Sequence, residues 1–208
     1  MKTIEIVHVL LAAVVSAFVV QFRNLSPETF ALAFLFFIVI FIFSIGAKKI
    51  MANFLQSDIE TKIWHFQRWG WYERSYLKTP LPIGLLLPFF LIILTLGRVP
   101  WLATTQTEVI ASKARVAKMR GIYRYSEMTD GDIAWITAAG TFACFFLAII
   151  AYLVNLPDLS RYAVLFAAFN MIPLGNLDGT KIFFGSIILW FVLAAISLLG
   201  IGYVFMLV

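Results

Sequence analysis

The sequence predicts an all-α polytopic membrane protein: a single integral membrane domain, residues 1–208, with about five spans, one re-entrant segment and a small β-hairpin. Three observations carry this. Mean hydropathy is +0.94 and only 13% of the 208 residues are charged, far less polar surface than a soluble domain of this length needs. Several apolar runs approach or exceed the roughly 18 residues that cross a bilayer. The net charge of +5 and the pI near 9.4 suit the positive flanks of membrane helices. No basic helix or stacking platform accompanies that charge, which excludes nucleic acid as a partner. Cys144 is the one cysteine, so the chain forms no internal disulfide and no thiolate metal site, and a packed thiol is expected.

The elements follow in order. Ile6–Phe22 is the first span. Glu5 and His8 interrupt the pattern of a signal peptide and no small-x-small site follows, so an uncleaved helix is expected. Ser26 as N-cap and Pro27 at the first helical position open the second span, Phe30–Ala47, which ends at Lys48 and Lys49. Asn53–Lys78 is polar yet rich in aromatics, with Trp64, Trp69 and Trp71 expected as anchors at headgroup level. Glu5 is expected to face water or a lysine. Pro82–Leu96 is apolar but short, and Pro80, Pro82 and Pro88 punctuate it. Thr104–Ser126 holds two Thr/Val/Ile/Tyr-rich stretches, read as a small β-hairpin. Thr129 or Asp130 caps a third span, Ile133–Val154. Leu156–Leu174 is a fourth, and Ile182–Val208 the last.

Charge sets the topology. If Pro82–Leu96 crosses fully, lysines and arginines divide eight and eight, and no orientation results. If it dips in and returns, fourteen lie on the side of the N-terminus and only Arg23 and Arg161 on the other. The second division is strongly positive-inside. It places the N-terminus in the cytoplasm, the C-terminus outside and Lys48 on the same side as Asp178. The protein is expected in the cell membrane.

The stretch Asn170-x-x-Pro173-x4-Asp178-Gly179 resembles the N-x-x-P-x4-D-G signature of the intramembrane site-2 proteases, a family of zinc metalloproteases. Ala138-Ala139-Gly140-Thr141 resembles the A-G-P element of that family, with Thr141 in place of the Pro and Cys144 in place of a following Asn. The order of spans agrees over most of the chain. The resemblance implies a site-2-protease-like helix bundle in which Asp178 stands where the third zinc ligand would be. An Asp in a membrane segment is costly unless it binds a cation or lines a wet cavity, and an Asn–Pro opening of a helix is tolerated only where backbone is buried in protein.

The H-E-x-x-H element that completes such a site is missing. Its two histidines share a helix face, and its Glu is the general base. The only histidines are His8 and His65. Aligned on the family pattern, Ser44 and Lys48 replace the two histidines, and Ile45 replaces the Glu. Serine is a poor zinc ligand, an ammonium repels a dication and isoleucine cannot take a proton. No catalytic residue and no metal are therefore expected, Asp178 being the only ligand position retained. Lys48 either forms an ion pair with Asp178, or extends to the headgroups while Asp178 caps the last helix.

Three functions are consistent with this pattern. The first is a catalytically inactive site-2-protease-like protein that serves as a scaffold or binding module for membrane lipid, other membrane proteins or transmembrane segments. The second is an active intramembrane zinc metalloprotease with ligands drawn from Ser44, Asp58, Glu60, His65 and Asp178. The third is a small accessory subunit of a larger membrane complex. A transporter is disfavoured, because spans carry few charges and no inverted repeat is visible.

Overall fold

The computed structural model describes residues 3–68, 76–112, 119–120, 123–124 and 128–206. They form a mostly helical protein of seven helices, with three short antiparallel strand pairs. The helices are α1 (Thr3–Val20), α2 (Pro27–Phe54), α3 (Ile83–Leu94), α4 (Asp130–Leu153), α5 (Pro157–Asn170), α6 (Asp178–Gly185) and α7 (Ile187–Met206). Three of them, α2, α4 and α7, are long and apolar enough to cross a membrane.

Local chemistry explains the helix starts. Ser26 caps α2: its hydroxyl accepts from Thr29 N, Thr29 answers toward Ser26 N, and Pro27 takes the first helical position. Thr129 caps α4 by accepting from Asp132 N, and Asp130 and Asp132 sit in the first turn, where the helix dipole favours them. The main apolar core lies where α1, α2, α4 and α5 meet, with Phe37, Ile40, Phe41 and Ala163 fully enclosed. Phe37 stacks on Tyr162, their ring centroids 5.6 Å apart, one of the aromatic pairs worth about 0.5–1.5 kcal/mol beyond their burial.

The helix ends depart from the sequence expectation in two places. First, α2 continues through Lys48 and Lys49 to Phe54. Lys48 is thus enclosed within the helix, 5% exposed, because its charge is met by partners from distant segments. Second, the last apolar run is two helices. The break falls at Ser186, which is extended (φ −158°, ψ 101°), after Gly185, whose Cα lies against the Asp130 carbonyl of α4. Such Gly–Ser pairs are recurrent sites of sharp kinks.

The strand-like stretch in Thr104–Ser126 is not one hairpin. Thr105–Ala111 (β4) is a strand, but it pairs antiparallel with Ser57–Ile63 (β1), from Ile63 opposite Thr105 to Ser57 opposite Ala111. Phe66–Arg68 (β2) pairs with Tyr76–Leu81 (β3). Met119–Arg120 (β5) and Tyr123–Arg124 (β6) form a separate two-residue pair. The partner of β4 lies over forty residues upstream, a pairing that local propensity cannot announce.

Because Ile63 and Thr105 are neighbours, residues 64–104 form an excursion that leaves the sheet and returns beside its starting point. Its outward limb contains α3, which lies along α1: Phe89 packs on Phe18 and Ile92 on Val15 and Val19. Its tip reaches the end of α1, where Arg23 Nε donates to the Leu96 carbonyl at 3.3 Å. The return limb is irregular yet buried at Leu102, Ala103 and Thr104. Trp64 closes the base of the excursion. Its backbone N–H donates to the Thr104 carbonyl, its carbonyl accepts from Gly84 N, both at 2.9 Å, and it is 5% exposed against Trp101 and Leu177. Trp64 is therefore a core residue rather than a headgroup anchor. Trp69 and Trp71 lie outside the described residues.

Candidate functional site

The signature stretch folds as its residues dictate. Asn170 ends α5, its Nδ2 donating to the Phe166 carbonyl one turn back at 2.8 Å. Residues 171–177 are irregular, with Pro173 exposed, and the helix restarts at Asp178, the first residue of α6. Gly179 allows the return: a Cβ there would overlap the carbonyls of Met171 and Asn170. Asp178 and Gly179 are thus carried back under the end of α5, into the interior.

Lys48 meets Asp178 there. Lys48 Nζ donates to Asp178 Oδ2, and both side chains are about 5% exposed. The same ammonium donates to Thr107 Oγ1 on β4 at 2.9 Å. Space for the lysine stem comes from Gly140 on α4, where a Cβ would overlap Lys48 Cε. Ser44, one turn before Lys48 on the same face of α2, is 3% exposed and lies near the buried Cys144 thiol on α4. Thr141 completes the α4 side, its hydroxyl against Met171 Sδ at 4.0 Å. Ile45 points elsewhere, into the apolar core. The structure therefore brings together Ser44, Lys48, Asn170, Asp178 and Gly179, and leaves Ile45 and Pro173 outside the polar cluster.

Lys181 joins this cluster without a sequence signal. One helical turn after Asp178, its Nζ donates to the Thr107 carbonyl. Burial holds its ammonium below the ordinary lysine value, against the opposing pull of the Asp178 carboxylate. Two ammonium groups thus bracket Thr107 and lie beside one carboxylate, whose Oδ1 has no partner among the described residues.

The remaining acidic groups and His65 are elsewhere. Glu5 is 6% exposed: Oε2 pairs with Lys49 and Oε1 accepts from Thr61 N, both at 3.3 Å. It ties α1 to α2 and β1, and with Asp58 and Glu60 it lines a cavity of about 540 Å³. Glu60 and Glu108 stand directly opposite in the sheet, a costly pairing that Lys62 resolves by binding both. The Glu108 hydrogen bond holds Lys62 above the ordinary lysine value, with both glutamates' charges adding and burial opposing. His65 lines a second cleft with Lys62, Gln106 and Glu108.

A zinc ion does not fit the cluster. Zinc takes thiolate, imidazole or carboxylate ligands at about 2.0–2.3 Å, three of them from protein in a catalytic site. The groups that touch Asp178 or its lysine are a hydroxyl and two ammonium groups, Cys144 is the one thiol nearby, and one ammonium already holds the carboxylate. Among the described residues, no group of three or more His, Cys, Asp or Glu could hold a metal ion. Comparisons with protein-family models, with curated proteins and with solved structures find no match for the chain.

Proposed function

We propose that this protein is a catalytically inactive relative of the intramembrane site-2 proteases, retained as a membrane-embedded binding module for other membrane proteins or transmembrane segments. The Lys48–Asp178 ion pair carries the reading. The signature Asp is in the interior, and a lysine at the position aligned with the second zinc-binding histidine takes the place of the cation. Ser44 at the other aligned position shares the same helix face, four residues earlier. The alternative of an active metalloprotease would need ligands that converge, whereas Asp58 and Glu60 line a cavity with Glu5, His65 lines another cleft, and Asp178 binds Lys48.

The proposal includes a five-span arrangement with the 64–104 excursion re-entrant and the N-terminus cytoplasmic. The adjacency of Ile63 and Thr105 supports the return. The sequence count keeps Arg98 on the side of the N-terminus, for a segment that only dips in. With the tip against Arg23 just past the end of α1, we infer a deeper excursion that enters and leaves on the cytoplasmic side but exposes Arg98 on the far side. This leaves thirteen positive residues against three, still strongly positive-inside. A cysteine at position 98 is then labelled from outside and one at position 110 from inside. Labelling of both from one side overturns the arrangement.

Metal analysis and affinity purification test the function. Purified in detergent, the protein contains well under one zinc per chain, and membrane proteins co-purify in defined stoichiometry. One zinc per chain that is lost on Asp178→Ala overturns the inactive reading. A protein that remains alone after mild extraction and cross-linking in its native membrane overturns the binding module.

A further inference from the structure

An apolar groove of about 470 Å³ runs between α5, α7 and the tip of the excursion. One face of α7 forms its floor, from Trp190 through Ala194 and Ile201 to Phe205, and Phe169 and Ile172 form part of its wall. Among the described residues, Arg98 is the only charged one in its lining. We propose that this groove holds one acyl chain of an anionic phospholipid, with the lipid phosphate on Arg98.

Shape selects a chain over a helix. Trp190 to Phe205 spans about 22 Å at 1.5 Å per residue. Spread over that length, the groove has a cross-section on the order of tens of Å². An α-helix, about 10–12 Å across with its side chains, would lie mostly outside so narrow a groove and seat only one edge in it. A single extended hydrocarbon chain fits, and the length exceeds the roughly 15 Å of one leaflet's hydrocarbon. The face it would enter is already lipid-like: Leu198 and Phe205 are over two-thirds exposed.

Charge selects the headgroup. Arg98 is exposed and forms no ion pair among the described residues. Arg23 lies against the two residues before it in the chain, its side chain on Gly97 and its Nε on the Leu96 carbonyl. Two guanidinium groups at the tip of one turn present fork-shaped donors that match phosphate oxygens. A zwitterionic lipid brings its own ammonium to the same phosphate and gains less. This site is separate from the Lys48–Asp178 cluster; it rests on the membrane arrangement proposed above, with Arg98 on the far side, and not on the loss of catalysis.

The test is native mass spectrometry of the detergent-purified full chain, titrated with phosphatidylglycerol or phosphatidylcholine of identical acyl chains. One phosphatidylglycerol binds with a preference of roughly tenfold over phosphatidylcholine. Arg98→Gln removes the preference, and Ala194→Trp, which fills the groove, removes binding of both. Glycerol phosphate without acyl chains gives no adduct. Equal binding of the two lipids, a preference that survives Arg98→Gln, or lipid binding that survives Ala194→Trp overturns the proposal. So does a co-purifying transmembrane segment that cross-links to position 194 and displaces the lipid.

Discussion

The stem of Lys48 crosses α4 at Gly140 so closely that one added methyl would overlap its Cε and crowd its Cγ and Cδ. Gly140 thus sets the path by which the ammonium reaches Asp178. Gly140→Ala is expected to cost about 1–3 kcal/mol, the usual range for an overpacked interior. The cost falls sharply in a Lys48→Ala background, where the clashing stem is gone. A double-mutant cycle in detergent unfolding measures the coupling, and additive effects would mean that Gly140 does not shape the path of the lysine.

Removing one member of the buried pair leaves the other uncompensated. Lys48→Met or Asp178→Leu alone is expected to destabilise by about 3–5 kcal/mol. The double variant recovers most of that loss, because apolar replacement of both members of a buried pair is often neutral or stabilising. Denaturant midpoints of the three variants in one detergent decide this. A double variant as unstable as the sum of the singles contradicts the pairing.

Positions 44 and 48 lie one turn apart on one face of α2, both turned toward the Asp178 side of α4. Ser44→His with Lys48→His therefore places two imidazoles on the side of a freed carboxylate, a three-ligand set suited to zinc. The double variant is expected to bind one zinc per chain, lost again on Asp178→Ala. Metal content by atomic absorption is the readout. A double variant that stays folded and binds no zinc rejects the alignment of Ser44 and Lys48 with zinc-ligand positions.

Glu5 is enclosed while its partner Lys49 is one-third exposed. Asymmetry follows. Glu5→Ala removes both the ion pair and the acceptor for Thr61 N, and is expected to cost about 1–3 kcal/mol for the buried donor left unpaired. Lys49→Ala leaves the enclosed Glu5 carboxylate its Thr61 N–H bond and removes only a partly exposed partner, so it is expected to cost less than Glu5→Ala, about 1 kcal/mol. Equal losses in thermal unfolding would contradict the Glu5–Thr61 bond.

The Glu108 bond raises Lys62 above its ordinary value of 10.5. A lysine whose folded pKa is raised adds stability that is fully present below 10.5 and lost as pH rises through the folded value. Wild type is therefore expected to lose stability above pH 10.5 more steeply than Lys62→Met, in matched unfolding curves. Identical slopes would remove the linkage.

How much could be read before folding differs by element. Caps and spans are local, so Ser26, Pro27 and Thr129 marked the starts of α2 and α4 correctly. The Asn170–Gly179 stretch was visible because its polar residues stand out in apolar surroundings. The end of α2 was misplaced because a lysine usually marks water, and only distant Asp178 and Thr107 make Lys48 an interior residue. The partner of β4 was missed for the same reason. Its upstream strand, SDIETKI, alternates apolar and polar residues, a period-2 signal that the aromatic stretch after it overshadowed. Lys181 reads as a flanking charge, and nothing in its neighbourhood indicates that it folds back onto Thr107.

Synthesis order gives the Lys48–Asp178 bond a cost that the finished molecule conceals. The two residues are 130 positions apart, and at about 5–20 residues per second of translation the second follows the first by roughly 7–26 s. Through that interval α2 carries a cation with no anion of its own to meet it. Until α6 emerges, the Lys48 ammonium lacks the carboxylate that meets it in the finished fold. The Lys48–Asp178 bond is thus among the last that synthesis permits, and a ribosome stalled before residue 178 leaves a nascent chain that cannot form it.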